Sequence, residues 1–157
     1  MELIGIPTIN PLLFYTGKIS GYITWIVFVY SLSTDSLIDN NELYYNGIIS
    51  FSILAIGLIF TIVSLLHLGK STRLGLPSES TVLKTNGIYK FSRNPMYVGF
   101  DLFTLASMIY TLNIIIVMLG IFSLIVYHLI IKSEEKFLLS RFGNDYENYR
   151  KNVRRYL

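Results

Sequence analysis

Along the chain, long apolar blocks are separated by two short stretches crowded with charge, and strict alternation is absent. Crossing about 30 Å of hydrocarbon takes roughly 20 helical residues. Ile48 to Leu68 meets that length without a charged side chain, and Ile114 to Ile131 is a second such block, closed by Lys132. Tyr97 to Tyr110 is shorter and carries Asp101, so it reads as one half of a tight hairpin turning at Thr111-Leu112-Asn113. Ile19 to Leu32 reaches spanning length by joining Leu12 to Gly17, with Lys18 snorkelling. Four spans are expected, with three or five as alternatives. Beyond the last block, Phe137, Leu138, Phe142, Tyr146, Tyr149 and Val153 recur at threes and fours among charged residues, which predicts an amphipathic helix. Gly143-Asn144 interrupts it, with Asn144 or Asp145 as the new N-cap.

The fold class expected is an all-α, polytopic membrane bundle of about four transmembrane helices, including a tight C-terminal hairpin, plus a cytoplasmic amphipathic C-terminal helix. It forms one membrane domain over residues 1–157. Within it, residues 1–70 supply N-terminal helices without a legible motif, and Gly75-Leu76-Pro77-Ser78 reads as a loop within the domain.

Composition sharpens this. Of 157 residues, 52% are hydrophobic and 15% charged, against about 25% charged in soluble domains. Mean hydropathy is +0.52. A disordered tail and a collagen-like repeat are excluded, and an ordinary soluble globule fits poorly. The net charge of +3 does not point to nucleic acid, because the basic residues flank apolar blocks, where anionic headgroups account for them. No cysteine is present, which excludes disulfides, iron–sulfur clusters, thiolate zinc and cysteine nucleophiles. The two histidines lie far apart, so no metal site is expected. The N-terminus lacks a basic region followed by a small-residue cleavage site, so no removable signal peptide is expected.

Charge bias sets an expected orientation. The loop from Ser33 to Asn46 holds Asp35, Asp39 and Glu42 without a basic residue. The loop from Gly69 to Asn94 holds Lys70, Arg73, Lys84, Lys90 and Arg93 against Glu79, and the tail after Ile131 is also rich in Lys and Arg. By the positive-inside rule the basic loop and the tail are cytoplasmic and the acidic loop lies outside.

Chemistry concentrates on that cytoplasmic side. In Gly87 to Gly99, GIYKFSRNPMYVG, Pro95 favours extended backbone at Asn94 and then suits the first turn of a helix. The N–H groups of Met96, Tyr97 and Val98 would face back toward Arg93, making an anion pocket, and Gly99 would admit a close approach to the backbone. The alternative is a basic helix start at a membrane interface, with Tyr89 and Tyr97 as interfacial aromatics. Glu134 and Glu135 lie about 100° apart on a helix, so one can face the pocket while the other is solvated or paired with Lys132 or Arg141. A carboxylate there suits two vicinal hydroxyls; the alternative is ordinary surface charge. His128 shares a face with Lys132 and Glu135. Asp101 is expected to snorkel or to pair with Arg93, and His67 to sit at the interface.

These motifs, in this order, resemble the isoprenylcysteine carboxyl methyltransferase family, integral-membrane S-adenosylmethionine enzymes related to phospholipid methyltransferases. The family pattern is roughly Gly-x-Tyr, then Arg-(His or Asn)-Pro-x-Tyr-x-Gly, and later Glu-Glu-x-x-Leu, Phe-Gly, Tyr and Tyr. Gly87, Tyr89, Arg93, Asn94, Pro95, Tyr97, Gly99, Glu134, Glu135, Leu138, Phe142, Gly143, Tyr146 and Tyr149 fill those places, so residues 82–157 carry the resemblance. Asn94 stands where the eukaryotic prenylcysteine enzymes have histidine.

The resemblance implies that Arg93 and the N–H groups at the Pro95 helix start meet the methionyl carboxylate of S-adenosylmethionine, and that Glu134 or Glu135 holds the ribose. Tyr89, Tyr97, Tyr146 and the backbone near Leu83 would shape the adenine site. Arg93 and Glu135 would then be central to catalysis, with His128 or a pocket glutamate as base for an amine or thiol. The acceptor would be lipophilic and enter from the bilayer; neither metal nor nucleic acid is implied. Two competing readings are a sterol-reductase-like NADPH enzyme, which shares an Arg-His-Pro-x-Tyr-x-Gly-like motif, and a non-enzymatic membrane scaffold.

Overall fold

The computed structural model describes residues 7–34, 43–68 and 82–157, all helix, turn and extended linker. Five α-helices run in order: α1 (Pro11–Thr34), α2 (Leu43–Leu68), α3 (Pro95–Thr111), α4 (Ile114–Phe142) and α5 (Asn144–Asn152), with a 3₁₀ turn over Gly87–Lys90 before α3. Helices α1 and α2 take up both ends of the expected acidic loop, and its acidic residues lie outside the described residues. The same holds for Lys70, Arg73, Glu79 and the Gly75 to Ser78 loop.

Helix α1 begins where Asn10 accepts from the Leu12 N–H at 2.9 Å and Pro11 opens the first turn. It continues unbroken through Lys18, whose Nζ lies 4.2 Å from the Phe14 ring centre. The hairpin turn is tighter than expected: Thr111 is still helical, Leu112 takes a left-handed φ of 43°, and Asn113 caps α4 by accepting from Ile115 and Ile116. Helix α4 runs on past the end of the apolar block at Lys132, as the shared face of His128, Lys132 and Glu135 requires. It extends to Phe142, because the charge change there marks a change of solvent, and no helix breaker follows until Gly143. Gly143, at φ 50°, is itself the N-cap of α5, where Asn144 or Asp145 was expected; its carbonyl accepts from Glu147 and its N–H donates to Leu139.

Helix α3 packs antiparallel against α2, and α4 packs antiparallel against α1. A side chain at Gly99 would meet Thr61 Oγ1 at 2.1 Å and the Gly57 carbonyl at 2.8 Å, so α3 lies directly against α2. Gly17 and Gly21 on α1 similarly face Val126 and Ser123 on α4. Polar side chains inside the bundle bond across helices: Ser20 to the Leu119 carbonyl, Trp25 to Thr104, and Ser107 to the Thr24 carbonyl. The core is Phe14, Tyr97, Val126, Tyr127, Ile130 and Ile131.

The outward faces are apolar instead of polar: Ile26, Ile59, Leu66, Ile115 and Met118 are each more than half exposed. Such continuous apolar surface is stable in lipid and not in water. Pro11–Thr34, Asn46–Leu68 and Ile114–Phe142 are long and apolar enough to cross a membrane. The 17-residue α3 falls short of that length and is sheltered by α1, α2 and α4.

Candidate functional site

The residues around Pro95 come together with the far end of α4 and the C-terminal segment. Asn94, with φ −130° and ψ 50°, is outside the helical range, so Arg93 and Asn94 project from the chain just before α3 begins. Glu135, one residue past the first of the paired carboxylates, reaches the same point from α4. Arg93 donates from Nε and Nη2 to Glu135 Oε1 at 3.0 and 2.8 Å, and Asn94 Nδ2 adds a third hydrogen bond to that oxygen at 3.1 Å. Arg155 donates from Nε and Nη2 to Glu135 Oε2 at 3.0 and 2.9 Å.

The C-terminal segment is strapped across this cluster by its backbone. The Arg93 N–H donates to the Arg154 carbonyl, Ser92 and Asn94 donate to the Arg155 carbonyl, and Arg93 Nη1 reaches the Val153 and Arg150 carbonyls. The Arg93 and Glu135 side chains are each 7% exposed. Two guanidiniums share one carboxylate, so the buried cluster keeps a surplus positive charge, which suits an anionic group arriving from solvent.

Around the cluster stand tyrosines. The Tyr149 hydroxyl donates to the Tyr89 carbonyl at 2.6 Å, fixing the 3₁₀ turn to α5. Burial holds the Tyr89 and Tyr149 hydroxyls above the ordinary tyrosine range. Burial and the nearby negative charge of Glu135 push Tyr146 up to about 12. Beside them, Val82, Leu83, Thr85, Phe142, Asp145 and Asn148 line a cleft of about 570 Å³.

A model of the family described as phospholipid methyltransferase matches residues 45–145. The chain belongs to the phospholipid methyltransferase family. It is an integral membrane protein. Over 79 residues, or 48% of its length, it is 38% identical to a protein-S-isoprenylcysteine O-methyltransferase of Schizosaccharomyces pombe. Over 76 residues it is 36% identical to a protein of the same name from Dictyostelium discoideum. The matched stretches span about a third of each relative, 33% and 32%.

Within this family chain, Arg93, Asn94 and Glu135 meet as one cluster. They do so differently from the expectation, which put Arg93 and Glu135 on facing sides of a pocket; here they are bonded to each other. Glu134 is not solvated either: it accepts from the Tyr97 hydroxyl at 2.9 Å and faces the charge of Lys18. Of the helix-start N–H groups, Val98 is already bonded to the Asn94 carbonyl at 3.1 Å. Gly99 admits helix α2. Gly87, at φ 60°, lies against the His67 ring, which locks the end of α2 to the turn before the site. His128 Nδ1 lies 2.7 Å from the Tyr156 hydroxyl. Asp101 does not pair with Arg93; its Oδ1 is buried without a hydrogen bond.

Arg155 and Lys18 were not legible as members of the site. Arg155 sits in extended chain beyond the last helix, where neither helical period nor motif spacing links it to Glu135. The one available signal was the doubled arginine of the C-terminal VRRYL.

Proposed function

We propose that the chain is an integral-membrane methyltransferase that transfers the methyl group of S-adenosylmethionine to a lipophilic acceptor. The observation that carries this reading is the convergence of Arg93, Asn94 and Arg155 on the Glu135 carboxylate in a chain of this family. The residues present fit the cofactor: the cluster has a surplus positive charge for a methionyl carboxylate. The adjoining cleft combines apolar Leu83 and Phe142 with Asp145 and Asn148, and its volume is in the range of small-molecule sites.

Arg93 and Arg155 would hold the carboxylate end, and Glu135 would fix both guanidiniums in place. Tyr89 and Tyr146 would wall the nucleoside, with Leu83 beside it. Gly87, Pro95 and Gly99 shape the backbone that carries these groups, and Tyr97 holds Glu134 at the bundle side. When bound, S-adenosylmethionine supplies an already activated sulfonium methyl. The chain's part is then to align an in-line approach and to exclude water. His128 and Tyr156 lie on the membrane side of the cluster, where the acceptor would enter from the bilayer.

Four spans with the site and both termini cytoplasmic agree with the up-and-down packing of α1 to α4 and with the basic tail. The relatives' names support the methyl-transfer reading over an NADPH reductase or a scaffold. Calorimetric titration of the chain in detergent tests it: S-adenosylhomocysteine binds and NADPH does not. Binding of NADPH alone, or of neither, overturns the proposal.

A further inference from the structure

Asp101 is the one acidic side chain among the described residues of α1, α2, α3 and the apolar part of α4. It stands two turns into α3, on the side where Tyr97 and Phe100 pack 5.8 and 6.1 Å from the Tyr127 ring. It is close enough to Tyr127 and Tyr156 for its charge to act on both hydroxyls. At this depth Trp25 bonds to Thr104 and His128 to Tyr156, whereas the Tyr127 hydroxyl and Thr61 Oγ1 are buried without a hydrogen-bond partner. Asp101 Oδ1 is buried and makes no hydrogen bond. A carboxyl group in hydrocarbon surroundings is costly unless something satisfies it. The chain therefore holds an unsatisfied proton acceptor beside the His128–Tyr156 pair, on the bilayer side of the cluster.

We infer that Asp101 anchors and deprotonates the methyl acceptor, a lipid-soluble molecule whose nucleophile carries a proton: an amine, alcohol or thiol, and not a carboxylate. This rests on the methyltransferase reading above. The acceptor heteroatom bonds to the methyl carbon as the bond from that carbon to the sulfonium sulfur breaks. The electron pair of the broken bond stays on sulfur, giving neutral thioether. The proton of the nucleophile passes to the Asp101 carboxylate, and from there to water. A carboxylate acceptor would bring a second negative charge to Asp101 and has no proton to give, so the site discriminates against it.

Trp25 is the single tryptophan and bonds to Thr104, one turn beyond Asp101. It reports on this region directly. The full chain in lipid vesicles is titrated with alkyl amine, alcohol, thiol and carboxylate of equal length, each brominated on the chain, and Trp25 quenching is recorded. Saturable quenching is expected from the first three and not from the carboxylate. Asp101→Leu should weaken it at least tenfold at unchanged helix content. In labelled-methyl assays, Asp101→Asn should lower kcat about 100-fold with KM within threefold. Saturable binding of the carboxylate as tight as the amine, no saturable probe at all, or an unaffected Asp101→Leu overturns the inference. The quenching needs no cofactor, so failure of S-adenosylhomocysteine binding is read separately.

Discussion

Arg93 and Glu135, 42 residues apart, are joined by two hydrogen bonds to a single carboxylate oxygen, Oε1. The other oxygen belongs to Arg155. This arrangement ties the start of α3, the far end of α4 and the C-terminal segment to one buried charge. On the proposed reading, stability and cofactor binding depend on the same atoms.

Removing that charge should be the most damaging change in the cluster. Glu135→Ala leaves two guanidiniums facing each other, and breaking a buried pair typically costs about 3–5 kcal/mol. Arg155, with its side chain 34% exposed, contributes less, and Arg155→Ala should cost about 1 kcal/mol or less. Denaturant titration of helix content in mixed micelles checks the order. Equal losses from the two variants would show that Arg155 carries as much of the cluster's stability as Glu135.

Cofactor affinity should separate from folding at the cleft. Asp145→Asn and Phe142→Ala alter groups that line the open cleft and lie outside the buried cluster. Each is expected to weaken S-adenosylhomocysteine binding about tenfold with little change in helix content. Unchanged calorimetric affinity in both would place the nucleoside elsewhere.

The contact between α2 and α3 has no room for a methyl group. Gly99→Ala brings Cβ to 2.1 Å from Thr61 Oγ1 and 2.8 Å from the Gly57 carbonyl, so the helices must part. Overpacking of this kind costs about 1–3 kcal/mol. Thr61→Ala in the same chain should restore only part of the loss, because the Gly57 backbone stays in place. Thermal unfolding of the single and double variants measures both.

Alkaline pH should destabilise the C-terminal part. Burial raises the Tyr146 pKa from 10.0 in the unfolded chain to about 12, which favours the neutral phenol in the folded state. That stabilisation is complete below pH 10 and is lost as pH rises through about 12, where the folded group also ionises. Stability should fall across this window, and less so in Tyr146→Phe. An identical slope in the variant would assign the effect to Tyr89 and Tyr149.

The absence of cysteine makes sidedness directly measurable. Lys136→Cys and Lys151→Cys, at exposed positions, should react with an impermeant thiol reagent only from the cytoplasmic face, and Ser33→Cys only from the opposite face. Labelling of all three from one face would contradict the four-span arrangement.

The sequence by itself determined the helices and most of their limits. Apolar blocks longer than a bilayer is thick, Pro95 at a helix start, Asn113 before an apolar run and Gly143 after a charged one are local signals with local causes. They also placed Arg93, Asn94 and Glu135 within one motif order. The apolar block stops at Ile131 while the helix runs on to Phe142, because hydropathy marks the membrane boundary and helix propensity marks the helix.

Only the tertiary structure decided which partners these residues have. Arg93 and Glu135 looked like two walls of a pocket, yet they bond to each other. Asp101 looked like a partner for Arg93, yet it stands unpaired. Arg155 lies in extended chain with no periodicity, and Lys18 faces Glu134 across two helices. Pairing of this kind depends on the register of α4 against α1, set by close approaches at Gly17 and Gly21, and of α3 against α2, set at Gly99. No spacing within one segment encodes that register.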